Sequence, residues 1–267
     1  MIKPLHEIAE AETGRRLQLA ENTYSNAVCS IYAISGYRDC PHLGSGTLFK
    51  WKNNAYLITA RHLLDSGRQA LDVMVQTNQS TEPISLSRRF VKSSEEFDMA
   101  LCALNPREID VLNAIPLEGL DFFTYPDSMD GRILATVGWP NTKNKLDLYG
   151  ANTGQQMVVG GPQKSAKSLN LDNSLDKAFV YQKFAERDAI DINQQRTNSP
   201  KLKGLSGGLT FDLGDPLDPE VLARDKEFIA HPVGICTKYD GHKKVIRSTR
   251  PGVFIREFLE SGVFLEC

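Results

Sequence analysis

Gly204-Leu205-Ser206-Gly207-Gly208 sets a single serine among three glycines. A hydroxyl is a poor nucleophile at neutral pH and needs an imidazole within hydrogen-bond reach to take its proton. The imidazole in turn needs a carboxylate to fix its tautomer and stabilise its charged form. Both types occur upstream, in Thr59-Ala60-Arg61-His62 and in Phe97-Asp98-Met99-Ala100-Leu101. His62 follows an apolar run, Tyr56-Leu57-Ile58-Thr59, where the chain turns toward Leu63-Leu64-Asp65. Asp98 opens another, Met99 to Leu104, which draws its carboxylate inward and calls for a partner there. Around Ser206 the glycines permit a tight turn in which the N–H groups of Gly204 and Ser206 converge as an oxyanion hole.

The surrounding chain reads as short strands. Val28 to Ile34, Gly46 to Trp51, Ala55 to Thr59, Leu71 to Gln76, Met99 to Leu104, Ile133 to Gly138, Gln156 to Val159 and Phe228 to Cys236 are rich in β-branched and aromatic residues. Gly, Pro, Asn or Asp clusters close them. Many short strands without alternating helices favour an all-β barrel or sandwich. Residues 5 to 22 read instead as a helix interrupted near Gly14, with Leu5, Ile8 and Ala9 on one face. Ile255 to Glu260 reads as a terminal helix. The expected organisation is an N-terminal extension over residues 1–26, a first β unit over 27–125 and a second over 126–267.

A chain of 267 residues, 41% hydrophobic and 24% charged, has enough apolar material for one or two cores. Its net charge of −2 supplies no bulk basic field for nucleic acid. The first seven residues are charged and lack the apolar region of a signal peptide, and no stretch is long and apolar enough to span a membrane. Cys29, Cys40, Cys102, Cys236 and Cys267 are odd in number and scattered, which disfavours a disulfide framework or a zinc site and fits a reducing, cytoplasmic setting. No metal or cofactor is expected. The acidic stretch from Asp212 to Glu220 lacks the ligand spacing of an EF-hand and reads as a solvated surface loop.

The order His, Asp, Ser, each in its strand or turn context, resembles the chymotrypsin/trypsin family of serine peptidases, in particular bacterial intracellular-type members. Four further segments carry the likeness: Gly44-Ser45-Gly46-Thr47-Leu48, Val137-Gly138-Trp139-Pro140, Val233-Gly234-Ile235-Cys236-Thr237 and Arg250-Pro251-Gly252-Val253-Phe254. The last resembles a Pro-Gly-Val-aromatic strand of that family. The resemblance runs from about Ala27 to the C-terminus. It implies two packed six-stranded antiparallel β-barrels and peptide-bond hydrolysis through an acyl-enzyme. His62 is then the base and acid, Asp98 the orienting carboxylate and Ser206 the nucleophile, with Gly204 and Ser206 as oxyanion donors. It also places Pro200 at the base of the substrate pocket beside Lys201, and Thr237, Lys238, Tyr239 and Gly252 along its walls.

No acid stands at Pro200 to attract a basic substrate side chain, whereas Lys201 and Lys203 favour an acidic one if they point inward. Leu205 replaces the acid that secreted members use in zymogen activation. Arg61, where the family has a small residue, is a candidate to meet a substrate or a regulatory partner. Three other readings stay open. Ser206 fits the nucleophile elbow of an α/β-hydrolase esterase with Asp225 and His231, although only 61 residues follow it. The chain also fits a pseudopeptidase that only binds, and a peptidase switched by a partner through residues 1–26, including one dedicated to a single cytosolic protein.

Overall fold

The computed structural model describes residues 4–34, 40–65, 72–80, 82–86, 89–119, 132–141, 156–171, 177–184, 202–219, 228–260 and 262. Helix α1 (Leu5–Tyr24) leads into a first sheet built from β1 (Val28–Ala33), β2 (His42–Trp51), β3 (Asn54–Ala60), β4 (Val73–Gln76), β5 (Ile84–Ser85), β6 (Val91–Lys92), β7 (Met99–Leu104) and β8 (Leu117–Glu118). Helix α2 (Pro106–Leu112) lies between β7 and β8. The second unit contains β9 (Ile133–Gly138), β10 (Met157–Lys164), β11 (Phe179–Lys183), β12 (Leu209–Gly214), β13 (His231–Asp240) and β14 (Val245–Thr249), and ends in α3 (Pro251–Glu260).

Six strands close the second barrel in the order β10-β11-β14-β13-β12-β9, all antiparallel. The expected double-barrel arrangement holds with one difference: the first unit is an open half-barrel and not a second closed six-stranded barrel. It is a sheet of order β5-β4-β1-β2-β3-β7-β6, with β8 alongside β2, and no pairing among the described residues joins its two edges. Each edge strand is two residues long, with exposed Ser85 and Lys92, so each offers too short a ladder for closure. Every strand pair is antiparallel except the two-residue pairing of β8 with β2, which removes the α/β-hydrolase reading, since that fold needs a mainly parallel sheet.

Both faces of the first sheet are buried, which explains runs that are apolar throughout rather than alternating. Along β3, Tyr56 and Ile58 pack toward the second barrel with Val137, Leu209 and Phe211, while Leu57 joins Cys29, Ile31, Leu48 and Val75 on the other face. The second barrel carries hydroxyls and an amide inside. Thr136 Oγ1 donates to Gln182 Oε1 at 2.8 Å, and Thr210 Oγ1 lies 2.8 Å from Thr136 Oγ1 and 2.6 Å from Ser248 Oγ. The Thr136–Gln182 and Thr210–Ser248 links join β9 to β11 and β12 to β14, which are not sheet neighbours, so these two cross the barrel interior, while Thr136 and Thr210 face each other on adjacent strands.

Helix α1 runs unbroken through Gly14, where an added Cβ would meet nothing. A mid-helix glycine costs only about 1 kcal/mol, and tertiary anchoring outweighs that. Arg16, 1% exposed, donates to the carbonyls of Leu213 at 2.6 Å and Asp215 at 2.7 Å, pairs with Glu12 at 2.8 Å and lies over the Phe228 ring. Tyr24 packs on Phe211 and donates its hydroxyl to the Ala230 carbonyl. The inner face of α1 is thus committed to the second barrel.

Two further expectations are corrected. Residues 250–254 form no strand, because Pro251 begins α3, a position where its missing N–H costs nothing. Asp212 is not in a solvated loop: it sits in β12 with its carboxylate buried against Arg132 at 2.6 Å, and Oδ1 accepts from the Gly214 N–H. No helix among the described residues is long and apolar enough to cross a membrane.

Candidate active site

Antiparallel pairing of β3 with β7 aligns Ala60 with Met99, so the residues just beyond each strand end, His62 and Asp98, meet. His62 lies in a short 3-10 turn, Arg61–Leu63, and the Arg61 N–H donates to the Asp98 carbonyl at 3.0 Å. Asp98 adopts φ 55°, a left-handed conformation that Asp tolerates better than most residues. Its two carboxylate oxygens serve one histidine: Oδ1 accepts from the His62 backbone N–H at 2.9 Å and Oδ2 lies 2.8 Å from His62 Nδ1. A carboxylate can only accept, so Nδ1 carries the proton and Nε2 is left as the acceptor. The Asp98 side chain is 16% exposed and that of His62 48%, so a sheltered carboxylate holds an accessible imidazole.

Ser206 comes from the loop before β12 and lines the same cleft, of about 1010 Å³, as His62 and Asp98. Its hydroxyl makes no hydrogen bond to His62 among the described residues. Such bonds are often long before the reacting complex forms and tighten there. The loop is seated on the first sheet by Ser45, whose N–H donates to the Ser206 carbonyl and whose hydroxyl donates to the Gly204 carbonyl, both at 2.8 Å. The Ser45 hydroxyl also accepts from the Trp139 N–H at 2.8 Å, and Thr47 Oγ1 donates to the Gly207 carbonyl at 3.0 Å.

Two glycines are dictated by this seat. Gly207 has φ 86°, and a Cβ there would lie 1.8 Å from the Ser45 carbonyl oxygen; Gly204 has φ 104°, and its Cβ would lie 2.2 Å from Asn141 Oδ1. The N–H groups of Gly204 and Ser206 have no acceptor among the described residues. Between them Leu205, 2% exposed, packs into an apolar cluster with Val159, Leu202, Cys236 and Ile246.

The other expected site residues separate. Thr237, Lys238, Tyr239 and Lys203 line the cleft; Pro200 and Lys201 lie outside the described residues, as does Asp225. Gly252 is exposed in the first turn of α3 and is not among the cleft-lining residues, because the strand expected to carry it is a helix start. Arg61 lines the cleft but is engaged by its own chain: Asp65 at 3.2 Å, the Ser93 carbonyl at 2.8 Å and Glu95 at 3.5 Å. Lys92, and then Arg61, holds the Asp65 carboxyl below its ordinary range.

Among the lining residues not singled out from sequence are His42, Asn141, Phe179 and Arg247. Each is a single polar or aromatic position within or beside an unremarkable strand, and only tertiary pairing brings it to the cleft. His42 is buried, lies 2.7 Å from Asn141 Oδ1 through Nδ1, and packs edge-on to Tyr32. Burial pushes its pKa down to about 4, against smaller upward effects of the Asn141 and Gly44 hydrogen bonds.

No family model matches the chain, and no curated protein sequence matches it. Among solved structures it is similar to AlgW, an HtrA-type protease with a tripeptide, at 16% identity and a TM-score of 0.51. That alignment covers 92% of this chain and 63% of the other, so the chain spans less than two thirds of AlgW's length. It is also similar to Rv3671c from M. tuberculosis in an inactive form (13% identity, TM-score 0.48, 91% of each chain). A third likeness is to the serine protease domain of the Sesbania mosaic virus polyprotein (12% identity, TM-score 0.49, 86% of this chain and 91% of that one). At such identities the likeness concerns the fold, and the match to the HtrA-type protease identifies it as the chymotrypsin-like arrangement of two β units.

Proposed function

We propose that this chain is a serine endopeptidase. The observation that carries the reading is the two-point hold of Asp98 on His62, which leaves Nε2 as a proton acceptor in a cleft shared with Ser206. In this reading Ser206 Oγ attacks the peptide carbonyl as Nε2 takes its proton. The oxyanion so formed is stabilised by the N–H groups of Gly204 and Ser206, both without other acceptors among the described residues. His62 then gives the proton to the leaving amine, and the Ser206 ester remains. Water, deprotonated by the same nitrogen, hydrolyses that ester and returns the hydroxyl. Cys29, Cys102 and Cys236 form no disulfide among the described residues, which fits the reducing compartment this reading assumes.

A fluorophosphonate probe on the full chain tests this. The wild type is expected to label at Ser206. Ser206→Ala abolishes labelling, and His62→Ala and Asp98→Asn slow it by about 10³-fold or more, as in other triads. A folded wild type that does not label overturns the reading. One observation favours a second reading, a site that is latent until a partner acts: the missing bond between Ser206 and His62. Such a partner would bind the outer face of α1, where Leu5 and Leu19 are exposed.

A further inference from the structure

The two walls of the cleft use their charges differently. Among the described residues its carboxylates, Asp65, Glu95, Glu96 and Asp98, all belong to the first unit, and the one Arg or Lys lining that wall, Arg61, is paired with two of them. The wall from the second barrel carries Lys203, Lys238 and Arg247, and no acid of that barrel lines the cleft among the described residues.

Arg247 stands apart among the arginines that are at least partly buried. Arg16, Arg61, Arg132 and Arg250 each donate to an oxygen of the chain. Arg247 has no acceptor among the described residues, and its Nε is sealed from solvent as well. Its guanidinium lies over the Phe179 ring, 4.5 Å from the centroid, and that ring is backed by Phe97 and Tyr181. The stacking holds the fork in place. Strand register then sets Arg247 opposite Lys238, a cross-strand pair of like charges. Such a pair is unfavourable unless an anion sits between its members. Arginine stacked on an aromatic face, with its terminal nitrogens free, is a preorganised fork for a carboxylate.

We infer that Arg247 is a specificity-determining residue which, with Lys238 beside it, binds a carboxylate of the peptide substrate. The inference rests on the peptidase reading. It assigns the role to a stacked arginine on β14, with its fork fixed over Phe179, and not to Lys201 or Lys203. The carboxylate belongs to an Asp or Glu side chain near the cleaved bond or to a free C-terminus.

Peptidyl diphenyl phosphonates that differ only in carrying Glu or Gln, placed in turn at each of four positions on the acyl side, distinguish these sources. A Glu side chain is expected to speed labelling of Ser206 about tenfold or more at one position, the effect of a charge-assisted hydrogen bond. Within Arg247→Gln the Glu-to-Gln ratio falls to about one, and within Arg247→Lys, which keeps charge but loses the fork, it falls between. The ratio within each variant cancels any general loss of reactivity. If the source is a C-terminus, a tetrapeptide acid protects Ser206 from the simple fluorophosphonate better than its amide, and Arg247→Gln removes the difference. Equal rates at every position and equal protection, in a chain that the simple probe labels, overturn the role of Arg247 alone. A folded chain that the simple probe does not label overturns the peptidase reading and this inference with it.

Discussion

Cys29, Ile31, Leu48, Leu57 and Val75 fill one side of the first sheet with apolar groups, whereas the second barrel joins Thr136, Gln182, Thr210 and Ser248 through its interior. An open sheet gains stability from area removed from water, and that force has little directional preference. A closed barrel fixes its strands relative to one another, so short polar side chains from non-neighbouring strands can meet. Gln182 completes the set by donating to the Val159 carbonyl at 2.8 Å. A satisfied buried network of this kind favours one register over its neighbours. The same division runs through the cleft, where the first unit contributes a held imidazole and carboxylates and the barrel contributes the serine loop and cations with no acidic partner among the described residues. The reaction proposed here needs both, and Ser45 and Gly207 form the seam.

Gly207→Ala attacks that seam and carries the largest expected effect. The side chain must sit at positive φ and displace the Ser45 carbonyl, so a loss of at least about 3 kcal/mol is expected, with loss of fluorophosphonate labelling. Denaturant melts and labelling rates check it. A stable, labelling variant would mean that the two halves do not depend on this contact to form the site.

The second test uses pH. His42, on β2 of the sheet, has a folded pKa of about 4 against an ordinary value of 6.5. The folded form therefore binds fewer protons, and stability present above pH 6.5 is lost as pH falls toward 4. Over that window about 3 kcal/mol is at stake as an upper estimate. Urea midpoints at pH 7 and pH 4.5 are expected to separate less in His42→Gln than in the wild type. Equal separation would place the acid sensitivity elsewhere than at the contact between His42 and Asn141.

Thr210→Val carries the smallest effect and sharpens the contrast between the interiors. It keeps the shape, removes the hydroxyl shared by Thr136 and Ser248, and is expected to cost about 1–3 kcal/mol in a denaturant melt. A neutral or stabilising result would show that the barrel is held by closure and apolar packing alone, as the sheet is by packing.

Much of this arrangement was legible in the chain. The apolar runs over 28–34, 46–51, 55–59, 99–104 and 133–138 each correspond to a strand, because β-branched residues in short, turn-bounded runs have few alternatives. His62 and Asp98 were readable as residues at strand ends, where a polar side chain can turn into a cleft. Strands β11, β12 and β14 were less visible. Thr210, Asp212, Gln182 and Ser248 look like polar surface positions when interior and exterior cannot be told apart. Helix α2 escaped notice although Asn105 and Glu108 form its capping box.

The sequence by itself determined the strand-rich character, the chain order of His62, Asp98 and Ser206, and the glycines at 204 and 207. Those features are local: propensity, turn chemistry and residue type act within a few positions. Tertiary structure alone decided that one unit closes and the other does not, that Leu205 packs into an apolar cluster and that Arg61 is spent on its own neighbours. It also decided that Arg247 lies over Phe179, 68 residues away in the chain, with no acceptor among the described residues. Whether a buried group finds a partner depends on strand register and on which faces meet, and those relations exist only once distant segments have packed.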